Sequence, residues 1–388
     1  MPDRLLFPDL PGASAAPEAD EARALVALGL VPGAGSARLR ALLTRFGSAR
    51  DALAAPVAHL AAVEGVGRQT AQAVRAFSDY EAVDRQLAAA ARVGARPLSF
   101  LDADYPDLLR QIYDPPALLW LRGRLDPADA TAVAVVGTRT ATDYGRRVAE
   151  AFARGLAEAG VTVVSGLAYG IDAAAHTAAL DAGGRTVAVL GSGVDRIYPA
   201  RHAGIVRRIL ETDAGAVISE MPMGAAPDAG NFPRRNRIVS GMCLGTLVAE
   251  ARPTGGALLT AALALEQNRE VFAAPAPVFS DMTGTNRLVQ GGAAALVMDA
   301  SEILDALAAH LPVREEPPGT RAPGPAPLPA DLTAAERQLL GALGADPRPL
   351  DAVCDASGLD ASTALVYLLQ LEFRGLVRQL AGKQFFRP

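Results

Sequence analysis

The chain has 388 residues, half of them hydrophobic, and a formal net charge of −5. This length and apolar content allow two or three domains with a sizeable core and exclude an intrinsically disordered protein. The acidic balance argues against indiscriminate binding to polyanions, so a nucleic-acid site would have to be a local basic patch. Because the N-terminus lacks a signal-peptide pattern and no run of 18 apolar residues is free of Gly, Pro or charge, we expect a cytoplasmic protein without membrane contact.

Residues 20–105 are predicted to form a small all-α domain. Segments 30–47 and 60–77 each carry a Gly-x-Gly turn followed by a helical pattern of Ala and Leu, which is typical of helix-hairpin-helix or SAM-like repeats. Such a hairpin can present backbone N–H groups to a DNA phosphate. A protein-docking or purely packing module is equally consistent with the pattern, because Arg68 is the only basic residue at the second Gly-x-Gly turn.

Residues 106–311 alternate between apolar strand patterns and helical stretches. Each strand pattern is short and continuously apolar, as expected for strands that are buried on both faces of a parallel sheet. We therefore predict a Rossmann-like, doubly wound, mostly parallel α/β domain whose functional loops lie at the carboxyl ends of the strands. The predicted strands are 131–137, 161–166, 186–191, 215–220, 245–251, 270–275 and 294–298.

The C-terminal part divides into a linker and a further small domain. Residues 312–330 are dense in Pro and Gly and are predicted to be a linker. Residues 331–388 show three helical patterns and a short β wing, the order of a winged-helix domain. Its predicted recognition helix contains Asp360, Glu372 and only Arg374 as a basic residue. Protein contact or weak binding is therefore favoured at least as much as base readout.

The loop after the first strand does not match a dinucleotide-binding fingerprint. That fingerprint is G-x-G-x-x-G, whereas Gly137 is followed by Thr138 and Arg139. A cation at the position of the second glycine disfavours NAD binding. Arg139 is predicted to pair with a phosphate at the switch-point crevice, the alternative being a structural salt bridge.

The stretch SGLAYGIDAAAH, residues 165–176, follows the second strand. A nucleophile elbow reads G-x-S-x-G, but Val163 and Leu167 stand where glycines would flank Ser165, which excludes a hydrolase of that type. Asp172 and His176 are four residues apart and could be two metal ligands. No third ligand is evident, so a buried Asp–His hydrogen bond is favoured. The Ser165 hydroxyl and the backbone N–H groups of the glycine-rich turn suit an anion.

The later loops add further groups that suit phosphates. The third strand is followed by Ser192, Gly193 and Arg201, and Gly255 and Gly256 open another helix after the fifth strand. The segment NFPRRNRIVSG holds a basic cluster without an acid, for which anion binding is favoured over a solvated helix start. That cluster consists of Arg234, Arg235, Asn236 and Arg237.

No catalytic constellation emerges from these loops. They contain no carboxylate pair and no serine with a matching base, so no catalytic residue is predicted. Cys243 and Cys354 stand far apart without a CxxC motif or a histidine cluster, so neither a disulfide nor a zinc site is predicted. We expect no cofactor and a site built to hold phosphates.

Taken together, the motifs resemble those of the DNA-processing protein A family, also called DprA or Smf, in its long form. The matching segments are VVGTR, VVSGLAYGIDAAAH, VAVLGSGVDRIYP, ISEMP, FPRRNRIVSG, VAEA, GGALLTAALALE and TNRLVQGGA. The resemblance implies a cytoplasmic protein of natural transformation that binds and protects incoming single-stranded DNA and loads the RecA recombinase. It also implies a homodimer formed through the Rossmann-like domain and no enzymatic activity, with single-stranded DNA-binding protein as a further candidate partner.

The resemblance also implies a set of DNA-binding residues. This chain departs from the family pattern at Ala200, where a basic residue is frequent and Arg201 follows, and at Thr254 and Ala276, where Ser and Gly are usual. With few aromatic residues nearby, we expect sequence-indifferent binding, with Tyr198 and Phe232 as candidates for base stacking. The candidate DNA-binding residues are Arg139, Ser165, Gly166, Ser192, Gly193, Arg201, Arg234, Arg235, Asn236 and Arg237.

Two other classes of function are alternatives to this interpretation. The related nucleoside-monophosphate phosphoribohydrolases, the lonely-guy group, share the fold and carry a PGGxGTxxE motif that aligns with TGGALLTAALA. Their catalytic glutamate has no counterpart, because Ala262 and Leu263 occupy the region and Glu266 lies about a turn further on. The third class is a scaffold that binds only partner proteins.

Overall fold

A computed structural model describes residues 19–310, 332–344, 347–374, 376–380 and 384–387. These residues fall into two compact units, 19–310 and 332–387. The predicted linker 312–330 lies outside the described residues, as does the N-terminal stretch 1–18. Over the described ranges, no single helix combines the length and hydropathy needed to cross a bilayer; only the bent pair Leu350–Ser357 and Ala361–Glu372 meets the criterion jointly.

The first unit begins with a helical region in which both predicted Gly-x-Gly turns lie between helices. Gly33 and Gly65 adopt φ angles of +80° and +76°, which a residue without Cβ adopts at little cost. The Arg38 side chain donates to the carbonyl oxygens of Gly33 and Gly65 at 2.6 and 2.9 Å and so ties the two turns together. The helices are α1 (Ala19–Leu30), α2 (Ser36–Phe46), α3 (Ala49–Ala54), α4 (Val57–Ala61), α5 (Arg68–Arg75) and α6 (Tyr80–Arg92).

A nine-stranded sheet forms the centre of the first unit. Its order is β1-β2-β6-β5-β4-β3-β7-β8-β9, and the strands from β3 to β9 are mutually parallel. All seven predicted strands are present, which confirms the Rossmann-like α/β class. The strands are β1 (Ala95–Ser99), β2 (Leu118–Gly123), β3 (Ala132–Gly137), β4 (Thr162–Ser165), β5 (Thr186–Leu190), β6 (Gly215–Ser219), β7 (Gly245–Glu250), β8 (Glu270–Ala273) and β9 (Ala295–Leu296).

Strands β1 and β2 were not predicted. They pair antiparallel with each other, and β2 pairs antiparallel with β6 at the edge of the parallel strands. The β1 sequence ARPLS contains a proline and two half-buried residues, as edge strands tolerate, so it lacks the continuous apolar pattern of the central strands. The sheet thus includes a strand that precedes the predicted domain boundary at residue 105.

Helices cover both faces of the sheet. Apolar residues of α8 and α9 pack on one face, and those of α11 and α12 pack on the other. The helices of this region are α7 (Asp107–Arg110), α8 (Asp143–Glu158), α9 (Ile171–Asp181), α10 (Ala203–Glu211), α11 (Asn231–Gly241), α12 (Gly256–Glu266), α13 (Gly284–Gln290) and α14 (Ala300–Ala306).

The strand order places a topological switch point between β3 and β7. The chain moves outward from β3 through β4, β5 and β6, and then returns to add β7 on the other side of β3. Connecting loops diverge at such a point, and they open a crevice beyond the carboxyl ends of the strands. This crevice is the natural position for a ligand.

The second unit has the predicted winged-helix order. A buried core that includes Leu339, Val353, Leu368 and Phe385 holds three helices against a small sheet of order β10-β12-β11. The elements are α15 (Ala334–Ala342), β10 (Arg348–Pro349), α16 (Leu350–Ser357), α17 (Ala361–Phe373), β11 (Arg378–Leu380) and β12 (Gln384–Phe386).

Candidate nucleic-acid interface

A crevice of about 500 Å³ lies at the switch point, beyond the carboxyl ends of β3, β4 and β7. The loop after β3, the turn after β4, helix α11 and the start of α12 form its walls. Four of the ten predicted site residues line it: Arg139, Gly166, Arg235 and Asn236. Beside it lies a smaller cavity whose walls include Arg139, Gly166, Ser192, Tyr169, Tyr198 and Phe232.

Arg139 is the cation most available to a ligand. It is exposed, and its guanidinium lies 4.3 Å from the centre of the Phe232 ring. No carboxylate of the described chain lies within salt-bridge distance of it. The preceding amide, Thr138 N–H, donates to Glu250 O at 2.8 Å and fixes the loop to the neighbouring strand β7. The predicted alternative of a structural salt bridge for Arg139 is therefore not realised.

The turn after β4 uses its own donors internally. Ser165 is fully buried, and its hydroxyl donates to Val135 O at 2.7 Å. The amides of Gly166 and Ala168 each donate to Asp172 Oδ2 at 3.2 Å. The expectation that the Ser165 hydroxyl and the Gly166 amide are free for an anion is thus wrong: both groups hold the turn in place.

Arg235 lies beneath that turn and does not face solvent. Only 6% of it is exposed, and its Nη1 donates to Gly166 O at 2.5 Å and to Val189 O at 2.6 Å. It therefore joins the carboxyl ends of β4 and β5. Burial raises the pKa of the Asp172 carboxyl, and the nearby Arg235 charge opposes that rise. The interpretation of Arg235 as a direct phosphate contact is corrected by this burial.

His176 is buried behind the turn and is not bonded to Asp172. The Thr186 hydroxyl donates to Val163 O, so it accepts from His176 Nδ1–H at 2.6 Å. Burial, helped by the positive charge of Arg235, lowers the pKa of His176 to about 3. The predicted Asp172–His176 hydrogen bond is wrong because the carboxylate bonds to the turn amides instead.

The loop after β5 carries three predicted residues, and two of them have structural bonds. The Ser192 hydroxyl donates to Arg196 O at 2.6 Å, and the Gly193 amide donates to Ala225 O at 3.0 Å. Arg201 is exposed, and its guanidinium lies 4.1 Å from the centre of the Tyr169 ring. Arg201 is the one residue of the three with a surface-exposed charge.

Aromatic rings surround the smaller cavity. The rings of Tyr169 and Tyr198 meet edge to face at 6.5 Å, and Phe232 lies on the α11 side. Phe232 and Tyr198 were the predicted candidates for base stacking, and the structure brings both to one cavity. Tyr169 was missed, although its place within the glycine-rich stretch 165–176 was a usable signal.

The basic cluster of α11 has acid partners that are distant in sequence. Arg237 Nη2 lies 2.7 Å from both carboxylate oxygens of Glu220, and Arg237 Nε lies 3.5 Å from Asp114. Arg234 is 59% exposed and lies 3.7 Å from Glu220. Glu220 and Asp114 therefore hold Arg237 in place, although its buried Nη1 has no hydrogen-bond partner among the described residues. Two members of the cluster, Arg235 and Asn236, line the crevice. Arg235 is buried, so Asn236 is the one of the two whose side chain is open to a ligand.

Comparison with models of protein families shows the family to which the chain belongs. The family model described as DNA recombination-mediator protein A matches residues 96–308, more than half of the chain. The chain belongs to the DNA processing protein A family. A second model, the DprA winged helix domain, matches residues 323–383 and confirms the C-terminal prediction.

Individual members of the DNA processing protein A family align over most of their length. Protein Smf of Escherichia coli strain K12 is 40% identical over 279 residues, covering 72% of this chain and 74% of that protein. The putative DprA of Mycobacterium tuberculosis H37Rv is 38% identical over 333 residues, covering 82% and 84%. The X-ray structure of DprA from Streptococcus pneumoniae superimposes with a TM-score of 0.64 at 33% identity, covering 73% of this chain and 97% of that one.

The winged-helix unit of this DprA family member has an apolar surface on its predicted recognition helix. Helix α17 contains no basic residue, and Arg374 directly after it pairs with Glu336 at 3.4 Å. The outward face of α17 exposes Leu365, Val366 and Leu369. This surface favours protein contact over readout of a DNA groove, the first of the two possibilities that the sequence left open.

Proposed function

We propose that this DNA processing protein binds single-stranded DNA through its phosphates at the switch-point crevice, without enzymatic activity. The observation that carries the proposal is Arg139: an exposed cation, without a carboxylate partner among the described residues, at the point where α/β folds bind ligands. The Phe232 ring lies against the Arg139 guanidinium, and the N–H donors of the guanidinium remain available to a phosphate.

The ten predicted residues are proposed to have four different roles. Arg139 and Asn236 contact the strand directly, and Arg201 and Arg234 attract it at the rim. Arg237 supports α11 through Glu220. The positioning residues are Ser165, Gly166, Ser192, Gly193 and Arg235, whose hydrogen bonds hold the strand ends and turns that shape the crevice.

A single strand suits this site better than a duplex. The ring of Tyr198 is 41% exposed near Arg139, and an unpaired base can stack on such a ring whatever its sequence. The bases of a duplex are already stacked on one another. We therefore expect strong dependence on salt and little dependence on sequence.

We propose that the protein has no enzymatic activity because the crevice offers no free carboxylate among the described residues. Asp172 is the one carboxylate among the described residues that line it, and two turn amides already occupy that group. Glu266 ends α12, at the opposite end from the crevice. Incubation with AMP is expected to release no free adenine; release at a rate that depends on Asp172 would establish the phosphoribohydrolase class instead.

The biological role is proposed from family membership. We infer that the chain acts in the cytoplasm as a homodimer that protects incoming DNA and loads RecA onto it. Sedimentation is expected to show a dimer, and RecA filaments are expected to form faster on DNA coated with single-stranded DNA-binding protein when this chain is added. A monomer that leaves the filament rate unchanged would reduce the proposal to DNA binding alone.

The central experiment measures binding to oligo(dT) as a function of salt. The Arg139→Ala variant is expected to bind more weakly and to reduce the log–log salt slope by about 0.7, the value for one phosphate on a single strand. The matched control is Arg154→Ala, which removes an exposed arginine from α8, outside the crevice. Equal behaviour of the two variants, or no binding to oligo(dT), would overturn the proposed function and favour the protein-only scaffold.

A further inference from the structure

We propose that the start of α12 forms a separate subsite for a terminal phosphomonoester. The subsite is the side of the crevice that is formed by Arg252, Gly256, Ala257 and Thr260. It lies across the switch point from Arg139, which follows β3, because Arg252 and α12 follow β7. The first observation in its favour is the pair of unused backbone donors at the start of the helix.

The amides of Gly256 and Ala257 are the first two of α12. Helix geometry gives them no intrahelical acceptor, and the N-cap residue Gly255 has no side chain to cap them. Neither amide reaches another acceptor within the residues that the structure describes. The following amide, Leu258 N–H, is satisfied by Gly255 O at 3.1 Å. Two donors on the positive end of an eleven-residue helix therefore face the crevice.

Thr260 is the second, independent observation. It is 3% exposed, lies one turn along α12 from Gly256 and lines the crevice. Buried helical threonines usually bond to the carbonyl four residues before, as Thr177 does with Ala173 O at 2.8 Å. The Thr260 hydroxyl makes no such bond and has no other partner in the described part of the chain. The hydroxyl oxygen is not among the fully enclosed polar atoms, unlike those of Thr246 and Thr285, so the otherwise buried Thr260 offers it to the crevice. It is therefore a donor left for a ligand.

Arg252 adds charge to these donors. It is exposed, and its one carboxylate neighbour within the described ranges is Asp281, which is 88% exposed and 4.0 Å away. An exposed pair at that distance contributes little, so the guanidinium can turn to an anion at small cost. The subsite thus combines one cation, two helix amides and one hydroxyl, with the apolar side chain of Leu259 beside them.

The number of donors selects the class of phosphate. A phosphodiester within a strand has two free oxygens and one negative charge, whereas a terminal monoester has three free oxygens and a charge between −1.5 and about −2 at pH 7. Two amides, a hydroxyl and a guanidinium match the monoester. Such a group can come from the 5′-phosphorylated end of a DNA strand or from a free nucleoside monophosphate. Binding of a DNA 5′ end rests on the proposed function, whereas binding of a free nucleoside monophosphate does not.

The experiment compares two forms of a short oligo(dT) labelled at its 3′ end, one with a 5′-phosphate and one with a 5′-hydroxyl. Each form is titrated with the full-length protein, and dTMP is tested separately by calorimetry. We expect the phosphorylated form to bind about tenfold more tightly, a typical factor for one charge-assisted hydrogen bond. Thr260→Val and Arg252→Ala are expected to abolish the difference, while Arg139→Ala weakens both forms equally.

The control variant is Thr177→Val, which removes a helical hydroxyl that is already bonded within α9. It is expected to keep the preference. If the preference survives Thr260→Val and Arg252→Ala, the extra charge binds elsewhere and the subsite is refuted. If both oligonucleotides fail to bind but dTMP binds in a Thr260-dependent way, the proposed function fails and the subsite stands with a free nucleotide as its source. Equal binding of both forms, together with no binding of dTMP, overturns the subsite.

Discussion

The turn after β4 and the turn after β7 start from the same sequence plan and end with opposite properties. In both, a segment of five residues that includes glycine separates a buried strand from a helix, and no side chain caps the helix. In the first turn, Asp172 accepts the amides of Gly166 and Ala168. In the second, the first two amides of the helix, those of Gly256 and Ala257, reach no acceptor in the part of the chain that the structure describes.

The difference follows from one residue type at the start of the helix. Helix α9 has an acid in its first turn, and α12 has none. The Asp172 carboxylate accepts two amides of the turn that precedes α9 and complements the helix dipole, so it occupies the place that an external anion would take beside that turn. A glycine-rich turn therefore indicates an anion site only when the helix that follows it supplies no acid of its own.

Removal of the Asp172 carboxylate from the turn after β4 should cause the largest loss of stability. The Asp172→Ala variant leaves Arg235 buried without its neighbouring negative charge and leaves two turn amides without an acceptor. We expect a loss of about 3 kcal/mol in the free energy of unfolding, measured by urea denaturation. Glu266→Ala, which removes an exposed acid, is the control and should change stability by less than about 0.5 kcal/mol. A similar small change in both variants would contradict the role given to Asp172.

The second largest difference between the two turns is expected when a methyl group is added to a glycine in each, because the cost in stability should differ. A Cβ at Gly166 would overlap the Arg235 guanidinium, whereas a Cβ at Gly256 would meet no atom within 4 Å. We expect Gly166→Ala to cost about 2 kcal/mol through overpacking. Gly256→Ala should be neutral or stabilise by up to about 1 kcal/mol, because alanine loses less entropy in a helix. Thermal unfolding of both variants tests this pair, and equal costs would show that the two turns are packed alike.

The histidine behind the first turn should make stability depend on pH. Unfolded His176 binds a proton near pH 6.5, but folded His176 binds one only near its pKa of about 3. Its stabilising contribution is therefore complete above pH 6.5 and is lost as the pH falls towards 3, by about 1.4 kcal/mol per unit.

The raised pKa of Asp172 acts in the opposite sense, since its contribution falls as the pH rises from 3.8. The test is therefore a difference between variants. Between pH 6.5 and 5, the His176→Gln variant should lose less stability than the unchanged protein. Parallel curves for His176→Gln and the unchanged protein would show that His176 does not titrate on unfolding.

The smallest expected effect concerns Ser165. Ser165→Ala removes a buried hydrogen bond to Val135 O and should lower the free energy of unfolding by about 1 kcal/mol. The salt slope for oligo(dT) should stay unchanged, because the hydroxyl does not face the crevice. A slope reduced as in Arg139→Ala would restore Ser165 as a direct phosphate contact.

The sequence by itself determined the family, the seven parallel strands and the winged helix, and it predicted the loops that form the crevice. Apolar runs that end in glycine-rich loops depend on local pattern, and strand order places those loops together. The edge strand β1 escaped prediction because it contains a proline, is half exposed where it begins and lacks a continuous apolar run. Strand β2 does carry an apolar run, and its three buried residues Leu119, Trp120 and Leu121 lie between β1 and β6, but its antiparallel pairing is not recorded in the local pattern.

Only the tertiary structure decided which donors at the site are free. Ser165 bonds to Val135, Arg235 to Val189, and Arg237 to Glu220, and none of these partners adjoins its residue in the sequence. A donor's availability depends on whether folding brings an acceptor within about 3 Å, and no local motif records that distance. The Gly, Ser and Arg of the loops thus marked the place of the crevice, and packing selected Arg139 and the start of α12 as the groups left for a ligand.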